Sequence, residues 1–292
     1  MTKIINLLKL VRPHQWLKNT FVFIPFLFAG ELFDIPLLFK VFVVFVAFCL
    51  ASGSIYILND LSDLTFDRKH PEKKNRPLAA GTVSIPSALI IMSLSSIAAI
   101  YAGFWYSREV GFVVVSFIFL NIFYSLYFKN VILLDIFCIA LGFLLRVAAG
   151  VFASTVPPSN WIIIMTLALA LLLGVGKRKA DLLSLNNADL KSHRKALNSY
   201  SVYTIDQMIV ILASMIIITF SLYTMSDYAI QRFGTDAMIF TVPLVIYGLF
   251  RYIYIVNDKG SSGDPTKILF TDRPMLFCVI LWVAACAWII YK

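Results

Sequence analysis

The sequence predicts an all-α membrane protein with about nine transmembrane helices. Hydrophobic residues make up 60% of the 292 positions, whereas soluble domains average roughly 45–50%. The mean hydropathy is +0.85. Apolar runs of about 17–25 residues, the length that crosses a bilayer as a helix, recur along the chain. These runs lack the period-two alternation of barrel strands, which excludes a β-barrel as the predicted fold.

The apolar runs follow one another with short connections on one side and three long connections on the other. Because backbone groups in hydrocarbon must be paired within their own segment, each run is predicted to be a helix. The nine predicted spans are Trp16–Phe33, Ile35–Leu58, Ile85–Trp105, Val110–Phe128, Val131–Ala153, Asn160–Gly176, Tyr203–Met225, Met238–Val256 and Pro274–Tyr291.

The distribution of Lys and Arg predicts the orientation. The N-terminal segment through Lys18, the loops after the even-numbered spans and Arg251 near the end of the eighth span together hold 20 of the 25 basic residues. The opposite side holds Lys40, Arg108, Arg232 and Lys292, and Arg146 lies inside the fifth span. Since positively charged loops stay in the cytoplasm, the N-terminus is predicted to be cytoplasmic. The net charge of +9 then reflects membrane topology and not a nucleic-acid-binding surface.

The stretch from Asn59 to Pro77, after the second span, is the richest in chemical groups. Asn59, Asp63 and Asp67 recur every four residues, which stacks three oxygen donors on one face of a helix that continues the span. Such a stack is unfavourable without a cation, and a hard ion such as Mg²⁺ suits it. The alternative is a solvated loop of mixed charge.

Basic residues follow this acidic repeat directly. Arg68, Lys73, Lys74 and Arg76 supply cations for phosphate oxygens that a metal would not reach. Carboxylates for Mg²⁺ beside cations for phosphate predict a diphosphate site.

The loop after the sixth span begins with a more basic segment. Lys177 and Asp181 are four residues apart and share a helix face, with Arg178 adjacent. This arrangement suits a phosphate held as an ion-paired anion. The alternative is that these charges only set the topology.

Arg146 lies in the middle of an apolar run. A guanidinium there costs at least ~2.5–3.5 kcal/mol, so it should face a polar cavity as an anion ligand or form a structural ion pair, with Asp135 as one candidate partner. Tyr124 is a candidate for lining the same cavity, or an interfacial anchor. Lys18 and Asn19, at the start of the first predicted span, are candidates for a substrate phosphate, or parts of an interface anchor.

The pattern NDxxDxxxD from Asn59 to Asp67, with RPLAAG at Arg76 to Gly81, resembles the UbiA superfamily of intramembrane prenyltransferases. The resemblance covers the whole chain as a single domain, residues 1–292. It implies nine helices around a central cavity, cytoplasmic loop caps and Mg²⁺. By the same resemblance, Asn59, Asp60, Asp63 and Asp67 are the metal and diphosphate ligands.

The sequence departs from the usual pattern of this superfamily at one place. Ordinary members carry a second acidic DxxxD motif after the sixth span, where this chain has KRKAD at Lys177–Asp181. With RPHQWLKN at Arg12–Asn19, LDIFCIALGFLLRVAAG at Leu134–Gly150 and DPTKILFTDRP at Asp264–Pro274, the chain resembles the decaprenyl-phosphate phosphoribosyltransferase branch. In that branch the lipid is the acceptor.

The implied reaction transfers 5-phosphoribose from phosphoribosyl pyrophosphate to a polyprenyl phosphate at the cytoplasmic face of the bacterial inner membrane, for synthesis of a cell-envelope sugar donor. The resemblance gives catalytic roles to Asp63, Asp67 and Arg68. The candidate substrate-binding residues are Lys18, Asn19, Asn59, Lys73, Arg76, Tyr124, Arg146, Lys177, Arg178 and Asp181.

Two alternatives stay open at this point. A conventional prenyltransferase would use the same Mg²⁺ motif to ionise a prenyl diphosphate and attach the chain to a small acceptor, but the basic second loop argues against it. A transporter or lipid flippase would leave the acidic motif unexplained, since ion-coupled transport places acidic residues near the midplane. The sequence also leaves open whether the protein forms a homo-oligomer.

Overall fold

Helices account for the secondary structure throughout the part of the chain that the computed structural model describes, which is residues 2–28, 30, 33–69, 73–154, 159–184, 200–257 and 271–292. No β-strand occurs in these ranges, so the all-α prediction is confirmed. The α-helices are α1 Thr2–Val11, α2 Ile24–Leu27, α3 Ile35–Ser62, α4 Leu64–Asp67, α5 Ile85–Tyr106, α6 Arg108–Leu126, α7 Leu134–Ser154, α8 Asn160–Ser184, α9 Val202–Thr224, α10 Asp227–Phe233, α11 Val242–Asn257 and α12 Arg273–Tyr291.

Eight helical segments of the described chain are long and apolar enough to cross a membrane. They are α3, α5, α6, α7, α8, α9, α12 and the continuous run Ala237–Asn257, which joins a short 3-10 helix to α11. These segments match the second to ninth predicted spans. The protein is therefore an integral membrane protein, as the composition predicted.

The first predicted span has a different structure. A 3-10 helix covers Pro13–Phe23, and the four-residue α2 follows it. Pro13 and Pro25 both lack an N–H donor and stand at the starts of these two elements, so a continuous α-helical ladder does not form through them. The prediction of one unbroken α-helix from Trp16 to Phe33 is wrong, and the count of nine spans stays a prediction.

The described residues group into two compact units. The first contains Met1–Lys129 and Gly142–Pro158, and the second contains Asn130–Leu141 and Ser159–Lys292. Each unit has its own apolar core. The first is built around Phe26, Val41, Phe48, Val110 and Phe117, and the second around Ile136, Leu172, Ile205, Leu249 and Tyr252. The single domain over residues 1–292 stays a prediction.

Helix α3 is the central element of the first unit and positions the acidic motif. It begins at the N-cap Asp34, whose carboxylate accepts from the Leu37 N–H at 3.0 Å. It packs against α1, the 3-10 helix Pro13–Phe23, α5 and α6. Gly53 permits the contact with α1, because a Cβ there would lie 3.3 Å from the Val11 Cβ. These contacts hold the C-terminal end of α3, where the polar residues begin.

Candidate active site

The acidic repeat lies at the end of α3 and continues into α4. Helix α3 ends at Ser62, and Asp63 is its C-cap. The Asp63 N–H donates to the Asn59 carbonyl at 3.0 Å, and the Asp67 N–H donates to the Asp63 carbonyl at 2.9 Å. Helical hydrogen bonding at four-residue spacing thus continues across the break between the two helices. The predicted helical continuation of the second span is confirmed.

Asp60 is the most enclosed carboxylate of the motif, at 2% exposure. Two guanidinium groups meet at its Oδ1 atom: Arg12 forms an ion pair there, and the Nη1 atom of Arg76 lies 3.2 Å away. Arg76 Nη1 also donates to Asp67 Oδ2 at 2.5 Å, so one guanidinium joins two acidic residues of the motif. Asp67 is buried as well. The burial of these carboxylates is matched by opposite charge, as a low-polarity environment requires.

Arg12 reaches Asp60 from an unusual backbone conformation. Its φ of 51° and ψ of 64° lie in the left-handed region, which turns the chain between α1 and the 3-10 helix. Burial lowers the pKa of Arg12, while the nearby Asp60 carboxylate acts in the opposite direction. An arginine pKa is normally above 12, so Arg12 remains charged at neutral pH.

Asp63 has a cationic partner that the sequence did not indicate. Lys129, in the 3-10 helix Phe128–Asn130 after α6, donates through Nζ to Asp63 Oδ1 at 2.6 Å. The same ammonium lies 3.3 Å from the Ser62 hydroxyl. Lys129 is the one basic residue of the short loop after the fourth predicted span. Nothing in its local sequence distinguishes it from a residue that only sets the topology.

Asn59 is held by a neutral group of α6. The Ser125 hydroxyl lies against Asn59 Oδ1 and 2.7 Å from the Asn121 carbonyl of its own helix. Tyr124, a candidate from the sequence, is the half-buried neighbour of Ser125 in the same helix. Ser125 is therefore a further residue of the site that sequence reasoning missed.

The site as a whole contains three carboxylates and three cations in paired contact. Asp60, Asp63 and Asp67 meet Arg12, Arg76 and Lys129. Within the described residues, no three His, Cys, Asp or Glu side chains converge as a metal cage. A metal at this site would therefore need ligands from a substrate or from water in addition to the protein.

Three other basic candidates are exposed or partly exposed. Arg68 and Lys73 are exposed, and Lys18 is half-buried. Their side chains are thus accessible to a soluble or lipid-borne anion, which is the role that the sequence predicted for them.

Arg146 and Asn19 hydrogen-bond to each other. The Arg146 Nε–H donates to Asn19 Oδ1 at 2.8 Å, and both residues are buried. The alternative in which Arg146 pairs with Asp135 is wrong, because the Asp135 carboxylate accepts instead from Arg178 and Tyr200.

The second unit contains a separate polar cluster at the end of α8. The Arg178 Nε–H donates to Asp135 Oδ2 at 2.6 Å, and its Nη1 atom lies 3.1 Å from Asp181 Oδ2. The Tyr200 hydroxyl donates to Asp135 Oδ1 at 2.9 Å and accepts from the Leu133 N–H at 2.7 Å. Burial raises the pKa of Tyr200 to about 12, so the phenol stays protonated as a donor.

The three consecutive cations of this segment have different environments. Arg178 is buried against two carboxylates, and the Lys179 ammonium contacts Asp206 and Asn257. Lys177 is exposed and forms no ion pair with the described part of the chain. Asp181 lies on α8 four residues after Lys177, as predicted, and its carboxylate accepts from Arg178; the phosphate role of these residues stays a prediction. The polar stretch Asp264–Lys267, part of the DPTKILFTDRP motif, lies outside the described residues.

Comparisons with known proteins agree with this fold and with the sequence resemblance. Residues 20–273 match the UbiA prenyltransferase family. The decaprenyl-phosphate phosphoribosyltransferase of Mycolicibacterium smegmatis is 31% identical, with 98% of this chain and 92% of that protein aligned. The enzyme of the same name from Mycobacterium tuberculosis is 28% identical, over 96% of this chain and 92% of its own.

A solved structure gives the same answer for the fold. The structure of a UbiA homologue from Archaeoglobus fulgidus bound to GPP and Mg²⁺ superposes with a TM-score of 0.74 at 18% identity, covering 98% of this chain and 100% of the other. The family match and the 31% identical relative together decide the assignment. The chain is a membrane-embedded transferase that belongs to the UbiA prenyltransferase family.

Proposed function

We propose that this protein transfers 5-phosphoribose from phosphoribosyl pyrophosphate to a polyprenyl phosphate. The bond between ribose C1 and the pyrophosphate oxygen breaks, and its electron pair leaves with pyrophosphate. A new bond forms between C1 and an oxygen of the lipid phosphate, giving a polyprenyl-phosphoryl phosphoribose. The lipid phosphate is already anionic, so the reaction requires no general base.

The observation that carries this proposal is the pairing of three carboxylates with three cations at the end of α3. A diphosphate leaving group needs positive charge as the C1–O bond breaks. Arg12, Arg76 and Lys129 already stand in place to provide it, each held by a carboxylate of the motif. Exposed Arg68 and Lys73 extend the positive charge toward solvent.

The donor set at this site fits a divalent metal, and we propose Mg²⁺. Asn59, Asp60, Asp63 and Asp67 offer amide and carboxylate oxygens, the ligands that Mg²⁺ prefers. Mg²⁺ commonly uses one or two protein carboxylates and completes its shell with water and substrate phosphates, which matches a site without a cage of three acidic residues among the described residues. When bound, the metal would neutralise negative charge on the leaving diphosphate.

The residues of the chain have separable roles in this proposal. Asp63 and Asp67 would hold the metal, with Asn59 kept in orientation by the Ser125 hydroxyl. Asp60 lies deeper and anchors Arg12 and Arg76, so that their guanidinium groups stay directed at the motif. Lys129 neutralises Asp63 and can also contact a phosphate oxygen of the donor.

The choice of a phosphoribosyl donor rests on the relatives and on the second unit. Two relatives aligned over almost their whole length carry the name decaprenyl-phosphate phosphoribosyltransferase. The carboxylates near Arg178 are also engaged by that guanidinium, which disfavours a second metal cluster there. Lys177 is the exposed cation of this segment, and we assign it to a phosphate of one substrate. The excess of basic loops supports a cytoplasmic site in a bacterial inner membrane.

The test offers the purified, detergent-solubilised protein radiolabelled phosphoribosyl pyrophosphate, Mg²⁺ and a polyprenyl phosphate, and follows the label into the organic phase. We expect transfer that EDTA abolishes and that added Mg²⁺ restores. Transfer of equal rate in EDTA would overturn the metal role.

A parallel reaction with a prenyl diphosphate and an aromatic acceptor tests the conventional alternative. Activity there, with no transfer from phosphoribosyl pyrophosphate, would overturn the proposal. The matched control is Asp236→Ala, which removes an exposed carboxylate on the side predicted to be opposite the site and should leave transfer unchanged.

A further inference from the structure

Arg146 is enclosed by neutral groups in the first unit. Its side chain is 6% exposed. The guanidinium donates to Asn19 Oδ1 at 2.8 Å, to the Gly142 carbonyl at 2.8 Å and to the Ser52 hydroxyl at 3.4 Å. Within the described part of the chain, each of these hydrogen-bond partners is uncharged. A cation held in this way needs several dipoles to replace its hydration, and three residues supply them.

Aromatic rings cover the same guanidinium. Its Cζ atom lies 4.6 Å from the ring centroid of Phe117 and 5.4 Å from that of Phe143. Such contacts stabilise a desolvated arginine. With rings and backbone around it, Arg146 is poorly accessible to a substrate phosphate. Its contacts are typical of a residue that joins helices.

Asn19, the hydrogen-bond partner of Arg146, belongs to the 3-10 helix Pro13–Phe23. Asn19 is 0% exposed, accepts from Arg146 and from the Ser52 hydroxyl at 3.1 Å, and donates to Cys49 Sγ at 3.3 Å. Both polar ends of the Asn19 amide are therefore used. The side chain fixes the 3-10 helix to α7 and to α3.

A second contact holds the 3-10 helix one turn further along α7. A Cβ at Gly150 would lie 2.1 Å from the Val22 carbonyl oxygen, so the two backbones touch and only glycine fits. Arg146 and Gly150 are four residues apart and share a face of α7. The C-terminal half of the 3-10 helix is thus attached to α7 at two points, Asn19 and Val22.

The N-terminal end of this 3-10 helix is Arg12, which pairs with Asp60 in the candidate active site. Its left-handed backbone conformation is unfavourable for a residue with a side chain and persists only where the surroundings impose it. The Gln15 N–H donates to the Arg12 carbonyl at 2.9 Å and continues the helix from that point. Because Asn19 and Val22 fix the 3-10 helix on α7, the helix can hold Arg12 at its N-terminal end in this unfavourable conformation.

We infer that Arg146 and Asn19 are positioning residues, which lock the 3-10 helix Pro13–Phe23 and thereby hold Arg12 on Asp60. The functional part of this inference rests on the proposed function of the acidic motif. It replaces the direct substrate contact that the sequence predicted for Arg146 and Asn19. In this inference neither residue touches the substrate. Both act by fixing the position of Arg12.

Two substitutions at one position separate the hydrogen bond from simple packing. Asn19→Asp keeps the oxygen that accepts from Arg146, and should retain phosphoribosyl transfer within about threefold of the wild type. Asn19→Leu leaves the Arg146 guanidinium without this acceptor, and should lower kcat/KM by about tenfold or more. Equal transfer by the two variants would overturn the inference.

A double-mutant cycle distinguishes positioning from general stability. Arg146→Met and Arg12→Ala should each lower kcat/KM, and the Arg146 change should add less than about threefold once Arg12 is already alanine. Additive losses would mean that Arg146 does not act through Arg12. The control is Ser54→Ala, a buried residue of α3 whose hydroxyl donates to the Ala51 carbonyl of its own helix.

Hydrogen exchange tests the link without any substrate. Arg146→Met and Asn19→Leu should speed amide exchange in residues 13–23, whereas Asn19→Asp and Ser54→Ala should not. This measurement is informative even if the wild type transfers no phosphoribose. Failure of the proposed function is therefore distinguishable from failure of the structural link between Arg146 and the 3-10 helix. Unchanged exchange in Arg146→Met would overturn the link.

Discussion

The Arg178 guanidinium donates to the Asp135 carboxylate at 2.6 Å, and both side chains are buried at the end of α8 and the start of α7. The Tyr200 hydroxyl donates to the other oxygen of the same carboxylate. Each oxygen of Asp135 thus has a partner, which is the condition under which a buried ion pair is tolerated. The sequence of Lys177–Lys179 suggests a cluster of free cations. In the fold, ion pairs neutralise the charges of Arg178 and Lys179.

Breaking this pair should destabilise the protein. Asp135→Asn removes the buried carboxylate partner of Arg178 and leaves it the more exposed Asp181, so the loss should lie below the about 3–5 kcal/mol that a fully uncompensated buried charge costs. We expect a lower apparent unfolding temperature in detergent. The double substitution Asp135→Leu with Arg178→Met should recover part of the loss, because neither charge is then left alone. An Asp135→Asn protein as stable as the wild type would contradict this reading.

Asp63→Ala should abolish phosphoribosyl transfer. The substitution removes a proposed metal ligand and leaves Lys129 without its 2.6 Å partner. Loss of a group that stabilises developing charge typically lowers kcat by about 10²–10³ or more. Label transfer to the organic phase measures it, with Asp236→Ala as the matched carboxylate control. Retained turnover in Asp63→Ala would remove this residue from the site.

Lys129→Met should weaken the reaction although the residue stands outside the acidic motif. Its ammonium is the cation closest to Asp63, so its loss leaves that carboxylate uncompensated and removes one charge from the leaving group. We expect kcat/KM to fall by about 10- to 100-fold. Lys40→Met, an exposed lysine at the opposite end of α3, is the control. Equal rates for the two variants would show that Lys129 serves only topology.

Lys177→Ala should raise KM for one phosphate substrate by about tenfold, with kcat nearly unchanged. Lys177 is exposed and carries no ion pair within the described ranges, so its removal should not shift the unfolding temperature. A KM effect without a kcat effect is the signature of lost ground-state binding. Arg178→Met is the comparison, and it should lose stability as well. A fall in kcat alone would assign Lys177 another role.

Asp272 should make stability depend on pH at the start of α12. Its carboxylate accepts two hydrogen bonds from Arg251, at 3.1 and 2.7 Å, and one from the Met275 N–H at 2.8 Å. The Arg251 hydrogen bond holds the pKa of Asp272 below its ordinary value. The stabilisation is therefore present above the ordinary pKa of about 3.9 and is lost as pH falls through the lower pKa of the folded state.

Asp272→Asn tests this directly. The variant should unfold at a lower temperature than the wild type at pH 7, and the difference should shrink as the pH is lowered toward 3. Unfolding temperatures measured at several pH values give the answer. A difference that stays constant across this range would exclude the ionised carboxylate as the cause.

Several features of this protein were predictable because their signals are local in sequence. An apolar run long enough to cross the bilayer predicts a helix wherever it occurs, since no other structure satisfies its backbone in lipid. The spacing of Asn59, Asp63 and Asp67 likewise predicted a helical continuation that the backbone hydrogen bonds confirm. The exception is the segment after Arg12, where proline and a left-handed residue replace one α-helix by a 3-10 helix and a short turn of α-helix.

What the sequence determined by itself is the class of the protein: an all-α membrane transferase with an oxygen-rich motif at the end of one span. Only the tertiary structure decided which charge meets which. Lys129 reaches Asp63 across 66 residues, Arg178 reaches Asp135 across 43, and Arg146 reaches Asn19 across 127. Helix type follows from neighbours along the chain, but the partner of a buried charge is whichever polar group packing brings within about 3 Å. No periodicity in the sequence encodes that distance.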